Sequence, residues 1–384
     1  MPTPACRAKT PAHGKEKKKL NLALQGGGAH GAFTWGVLDA LLEDGRFWFE
    51  GITATSAGSM NAAVLTDGIM KGGTPGARAA LESFWQEISN AGSVWGAASP
   101  STWDSIESWM PFLKFFELDD LNDSMALGVG EAMNWAFSPY QKNPLNYNPL
   151  RDILEKTIDF KAVNACQSHR LFINATNVRT GAGKVFETGE ITVDTLLASA
   201  ALPNLFQAVE INGSYYWDGG YTGNPSLWPL FYKSACRDIL LVHINPIVRE
   251  TLPKRGYAIQ NRLNEITFNA ALLHELRAVA FVKKLLEDDM LKKEHRNRYQ
   301  DILIHAIRTD DIMNDLSIVS KYDTSWMFLT RLRDLGRKAA RTWIRKHAER
   351  VNVDSTVDLY KDYLDADPSV RGTLSPGVNR RRVK

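Results

Sequence analysis

Apolar and polar positions first alternate at residues 20–25. Leu20, Leu22 and Leu24 are separated by Asn21, Ala23 and Gln25, which predicts a short strand. The run Gly26-Gly27-Gly28-Ala29-His30-Gly31 ends it. Beyond, Phe33, Val37, Leu38 and Leu41 recur at helical spacing, and Gly45 suits the stop. A second unit follows. Ile52 and Thr53 lead into Ala54-Thr55-Ser56-Ala57-Gly58, and Asn61, Ala62 and Ala63 open a helix. Two strand–turn–helix units in succession predict the α/β class, a central mostly parallel sheet flanked by helices.

Residues 91–147 break the rhythm. Eight Trp and Phe residues, from Trp95 to Phe137, are scattered among Gly, Ser and Pro, which reads as an aromatic-rich insertion. Its side chains suit a lipid-facing wall or lid, or plain packing against the core. The sheet resumes at Leu171–Thr176, and Asp194–Ala201 reads as helix. Val209–Ile211 and Ser214–Tyr216 flank Asn212-Gly213, a hairpin signal, and Asp218-Gly219-Gly220 comes directly after. Ile239–Ile244 and Ile302–Ile307 add strands to a mostly helical extension over 233–370. There Ile259, Leu263, Ile266, Ala270 and Leu273 mark one amphipathic face, and Trp326–Arg350 reads as a basic helix.

The chain of 384 residues, 44% apolar, can bury one large core or a core with an appended module. A net charge of only +3 argues against nucleic acid as a partner. The positive charge gathers at the ends, in Lys15 and Lys17–Lys19 and in Arg380–Arg382. Residues 1–19 and 371–384 therefore read as basic tails, the first disordered, either simply solvated or drawn to anionic head groups. Cys6, Cys166 and Cys236 have no metal or redox spacing, which predicts a reducing compartment. No apolar run of about 18 residues suggests a span, so the expectation is a cytoplasmic protein with membrane contact at most peripheral. Nothing in the pattern speaks to oligomeric state.

The glycine run would set backbone N–H groups at the positive end of a helix, suited to a phosphate or an oxyanion. Gly26, Gly28 and Gly31 also satisfy G-x-G-x-x-G, so a dinucleotide-binding oxidoreductase is one alternative. That reading needs an acidic residue ending the next strand, and Glu50 instead precedes Ile52–Thr55. Ser56 sits where a strand turns sharply into a helix among small neighbours, as a nucleophile elbow or as a helix cap. A serine hydroxyl needs a base. None of the eight histidines lies in a recognisable base motif, and Asp218 is either that base or an ordinary turn aspartate.

Taken together, Gly26–Gly31, Ala54–Gly58 and Asp218–Gly220 resemble the three motifs of the patatin-like phospholipase family, in the family's order. Ala198-Ser199-Ala200-Ala201-Leu202-Pro203 and Asn224-Pro225 fit as well. The resemblance covers about residues 20–232 and implies a catalytic domain there. It implies Ser56 as nucleophile and Asp218 as base. The turn of Gly26, Gly27, Gly28 and Gly31 would form the oxyanion hole, with the Gly27 and Gly28 amides as donors. Ala54 and Gly58 would support the elbow, and Gly219 and Gly220 the base. No cofactor or metal is implied. The expected activity is hydrolysis of carboxylic esters of phospholipids or related lipids through an acyl-serine. A catalytically weak lipid-binding or interaction module is the other alternative. Two positions depart from the family pattern: Ala54 stands for the first elbow glycine, and His30 for the basic residue of the turn, where it would bring some pH dependence.

Overall fold

Leu22 pairs with Ile52 and Leu24 with Ala54, so the two strands expected first lie side by side and parallel. They are β1 (Lys18–Leu24) and β2 (Phe47–Ala54) of an eight-stranded sheet. The other strands are β3 (Arg170–Asn177), β4 (Gly183–Glu187), β5 (Val209–Ile211), β6 (Ser214–Asp218), β7 (Asp238–Val242) and β8 (Leu303–Ile307). The order is β5-β6-β3-β2-β1-β7-β8, with β4 also paired to β3. The five strands β3, β2, β1, β7 and β8 run parallel, while β4, β5 and β6 form antiparallel pairs at one side. The sheet continues past residue 232 without a break, because β7 pairs with β1. The computed structural model describes residues 17–95, 138–249, 251–254, 256–296, 299–316 and 319–364. Most of the expected basic tails and the centre of the aromatic insertion, 96–137, lie outside the described residues.

Both faces of the sheet are covered, which makes β1 central and buried on both sides. Leu20, Leu22 and Leu24 face helices α1 (Gly31–Asp44), α2 (Ala57–Trp95) and, beyond α1, the C-terminal Trp326–His347 helix. Asn21 takes a polar position of the alternation yet is fully buried. Its amide donates to the Cys236 carbonyl at 2.7 Å and accepts from the Gly51 N–H at 2.9 Å, which offsets the cost of burying it. Ala23, Ile239 and Leu241 face a second core against the long helix Gly256–Glu287. We number the remaining helices used below α3 (Val193–Ser199), α4 (Gly256–Glu287) and α5 (Trp326–His347).

One expectation is reversed on α4. Ile259, Leu263 and Ile266, expected inward, are exposed at 45%, 51% and 50%. The buried side carries Glu265, Phe268, Asn269, Leu272 and Leu276 instead. Polar groups win the inner face because of what they meet: Asn269 donates to the Asn245 and Pro246 carbonyls, and Glu265 pairs with Arg249 at 2.6 Å. The basic α5 behaves as expected on its apolar side, burying Leu329, Leu332, Trp343 and Ile344. Its Arg337 and Arg341 bind Glu43 of α1 at 3.0 and 2.7 Å.

Candidate functional site

The register of β3 sets the site. Ala54 pairs with Ile173, and Ser56 follows two residues later. Asp218, the last residue of β6, pairs with Ala175, also two residues further along β3. Ser56 and Asp218 thus come to the same level of the sheet from opposite sides of one strand, though 162 positions separate them in sequence.

Ser56 occupies a sharp turn. Its φ is +54°, a left-handed conformation unusual for a side-chain-bearing residue, and strain of this kind gathers at functional sites. The surrounding bonds hold it there. The Ser56 N–H donates to the Ser199 hydroxyl at 2.9 Å, and the Ser59 hydroxyl donates to the Ser56 carbonyl at 2.5 Å. The Thr55 hydroxyl donates to the Gly223 carbonyl at 2.7 Å. Ala54 lies within β2, buried and ladder-paired, and its φ is not positive, so alanine meets no left-handed strain there. A side chain at Gly58 would meet the Leu24 carbonyl at 2.4 Å.

Asp218 is 1% exposed. Its Oδ1 accepts from the Gly220 N–H at 2.7 Å, and its carbonyl accepts from the Thr176 hydroxyl at 2.8 Å. Gly219 is held through its carbonyl by the Asn174 amide at 2.8 Å. Burial pushes the Asp218 pKa up to about 7, opposed by the Gly220 N–H, the Ser56 hydroxyl and the Lys321 charge. The Asp218 Oδ2 closes no hydrogen bond among the described residues. A buried carboxylate oxygen left open beside a hydroxyl is poised to take a proton.

The glycine turn divides by role. Gly26 is fully engaged: its N–H donates to Asn224 Oδ1 at 2.6 Å and its carbonyl accepts from Asn245 Nδ2 at 2.7 Å. A Cβ on Gly26 would stand 2.5 Å from Ser56 Cβ, so the turn and the elbow touch. Gly31 packs against Ala57, its carbonyl accepts from Asn61 at 3.0 Å, and its N–H donates back to the Gly28 carbonyl within the turn. The amides of Gly27 and Gly28 donate to no protein acceptor among the described residues. His30 is buried, with Nε2 2.8 Å from the Ser320 hydroxyl. Burial, then the charges of Lys321 and Arg249, lower its pKa to about 3, so it is neutral and brings no pH dependence to the turn near neutrality.

Other histidines stand elsewhere. His243 is buried against Tyr363 with a pKa lowered to about 3 by burial. His305 binds Asp238 at 2.9 Å, and His169 binds the Phe49 carbonyl. Glu50, which a dinucleotide would need, accepts from the Ala235 N–H at 2.7 Å and the Ser234 hydroxyl at 3.0 Å. A Cβ on Gly28 would stand 2.4 Å from the Lys321 carbonyl oxygen. No group of three metal-ligating side chains occurs among the described residues.

Sequence reasoning assigned no role to Ser199 or Asn224, although the segments holding them stood out. Gln25, Asn245 and Lys321 carried no signal at all, because their importance exists only once β1, β7 and the 3₁₀ turn Val319–Tyr322 meet.

A model of the patatin-like phospholipase family matches residues 22–231, more than half of the chain. No curated protein sequence matches it. Among solved structures, VipD from Legionella pneumophila aligns over 84% of this chain and 67% of its own, at 14% identity and a TM-score of 0.33, a likeness too slight to bear on function.

Proposed function

The chain belongs to the patatin-like phospholipase family, and on that premise we propose that it cleaves carboxylic esters of phospholipids or related lipids with Ser56 as nucleophile and Asp218 as base. Family membership makes it a lipid acyl hydrolase in general terms. The observation that carries the finer reading is the open Oδ2 of a buried Asp218 beside a Ser56 held at positive φ.

In the proposed reaction the Ser56 Oγ attacks the ester carbonyl and its proton passes to Asp218. The carbonyl oxygen becomes an oxyanion and receives the N–H groups of Gly27 and Gly28. Each such donor is worth about two to three orders of magnitude in rate. The intermediate collapses, the carbon–oxygen bond to the alcohol breaks, and Asp218 returns the proton to that alcohol. Water then gives a proton to Asp218 and cleaves the acyl-serine, releasing the fatty acid and restoring the Ser56 hydroxyl.

A peripheral lipid contact accompanies this reading. Ile259, Leu263 and Ile266 are exposed on the outer face of α4, whose inner face carries Phe268 and Asn269 beside the site. No helix among the described residues is long and apolar enough to cross a membrane. An apolar helix face lying on a bilayer needs no span.

A fluorophosphonate probe tests the chemistry. The wild type forms an adduct at Ser56 and hydrolyses a panel of acyl esters, whereas Ser56→Ala does neither while keeping its circular dichroism. Absence of any adduct at neutral pH would favour a lipid-binding module without turnover.

A further inference from the structure

The 3₁₀ turn Val319–Tyr322 comes from the part of the chain beyond the family match, yet it sits on the glycine turn. Gly28 has φ +60° and admits no side chain, because the Lys321 carbonyl lies 2.4 Å from where a Cβ would stand. The neighbouring Ser320 hydroxyl holds His30 at 2.8 Å. Lys321 Nζ reaches Asn245 Oδ1 at 3.0 Å. Asn245 is fully buried, and its Nδ2 donates to the Gly26 carbonyl at 2.7 Å.

This chain of contacts has a direction. An ammonium group only donates, so it forces the oxygen of the Asn245 amide toward itself and the NH₂ toward Gly26. The Gly26 carbonyl belongs to the same peptide plane as the Gly27 N–H, and in a trans peptide the two point in opposite directions. Fixing the carbonyl inward therefore fixes the Gly27 N–H outward. A cation behind such a chain also polarises each link and strengthens the final donor.

We infer that Lys321 is a positioning residue for the oxyanion site, acting through Asn245 to orient and polarise the Gly26–Gly27 peptide. The inference rests on the reading of Gly27 as an oxyanion donor given above. Lys321 touches no reacting atom. Burial lowers its pKa, the carboxylates of Glu265 and Asp218 act against that, and the guanidinium of Arg249 adds to it. His30, neutral, Tyr221, whose phenol burial keeps protonated up to about 12, and Tyr322, whose pKa burial also raises, are further titratable groups around Lys321 and Asp218. Removing Lys321 thus also removes a charge that favours ionised Asp218.

The test is steady-state ester hydrolysis, with fluorophosphonate labelling rates, in Lys321→Met, Lys321→Arg, Asn245→Ala and the Lys321→Met/Asn245→Ala double variant. Lys321→Met lowers kcat by about one to two orders of magnitude, less than outright loss of a donor, with KM nearly unchanged. The acid limb of its pH profile moves to higher pH, a shift that a merely structural role would not produce. Lys321→Arg lies closer to wild type than Lys321→Met. The double variant is no worse than the poorer single one, since both break one chain. Wild-type kcat and an unmoved acid limb in Lys321→Met, with Ser56→Ala inactive, would overturn the inference alone. If Lys321→Met does not fold, wild-type kcat in Asn245→Ala overturns it equally. Activity in Ser56→Ala would instead overturn the nucleophile assignment on which it rests.

Discussion

The backbone N–H of Ser56 donates a 2.9 Å hydrogen bond to the hydroxyl of Ser199, at the end of α3. Both residues are buried, and the bond helps to hold the left-handed turn at Ser56. Ser199→Ala leaves that N–H without an acceptor, at a cost of about 1–3 kcal/mol. Denaturant unfolding should show a loss of that size. Turnover should fall about tenfold or more, because a displaced nucleophile loses its attack geometry. An unchanged midpoint together with unchanged kcat would remove Ser199 from the elbow's support.

Asp218 sets a pH dependence whose sign follows from its role. Burial raises its pKa to about 7, so the protonated, inactive form dominates below that value and the base form above it. Activity should therefore rise with pH through about 7. His30 and His243, both lowered to about 3, are neutral over that range and add no limb. Measuring kcat/KM from about pH 5 to about pH 9 traces the limb. Asp218→Asn should abolish it along with nearly all turnover. A flat profile down to about pH 5 in the wild type would contradict Asp218 as the base.

Gly26 is needed for contact between two turns. A methyl group there would lie 2.5 Å from Ser56 Cβ and 2.8 Å from the Thr55 carbonyl. Gly26→Ala should therefore push the elbow and the glycine turn apart, with a loss in kcat of at least the two orders of magnitude assigned to one oxyanion donor, roughly 100-fold. Gly72 provides the control. It lies at the break in α2 with φ −150°, and nothing stands within 4 Å of its Cβ position. Gly72→Ala should match wild type in both kcat and stability.

The two strand–turn–helix units were legible because alternating leucines and small turn residues are local signals. So were the hairpin around Asn212-Gly213 and the position of Asp218 just beyond it. The α4 face was misread for a physical reason. Hydrophobic spacing assumes that the inner side meets a dry core, whereas here it meets the carbonyls of Asn245 and Pro246 and the charge of Arg249. The supports of the glycine turn were hidden for a related reason. Asn224, Asn245 and Lys321 lie 198, 219 and 295 residues from Gly26 and converge only through the sheet order β2-β1-β7 and the returning C-terminal chain. Long-range polar convergence leaves no periodic trace.

The exposed outer face of α4 makes the last prediction. Leu263 and Ile266 stand 51% and 50% exposed, one turn apart, on a helix whose inner side touches the site through Phe268 and Asn269. Each apolar side chain moved from water into a lipid surface contributes about 1.5–3 kcal/mol if fully buried, and less when only half-buried. Replacing both with aspartate removes that gain and adds charge opposed to anionic head groups. Leu263→Asp/Ile266→Asp should bind vesicles of mixed phosphatidylcholine and phosphatidylserine at least tenfold more weakly and hydrolyse vesicle-borne ester correspondingly less. Hydrolysis of a short-chain soluble ester should stay at wild-type rate, because neither side chain lies among those that hold Ser56 or Asp218. Equal loss on both substrates would mean that the substitutions damage the site itself. Equal retention on both would take the α4 face out of lipid contact.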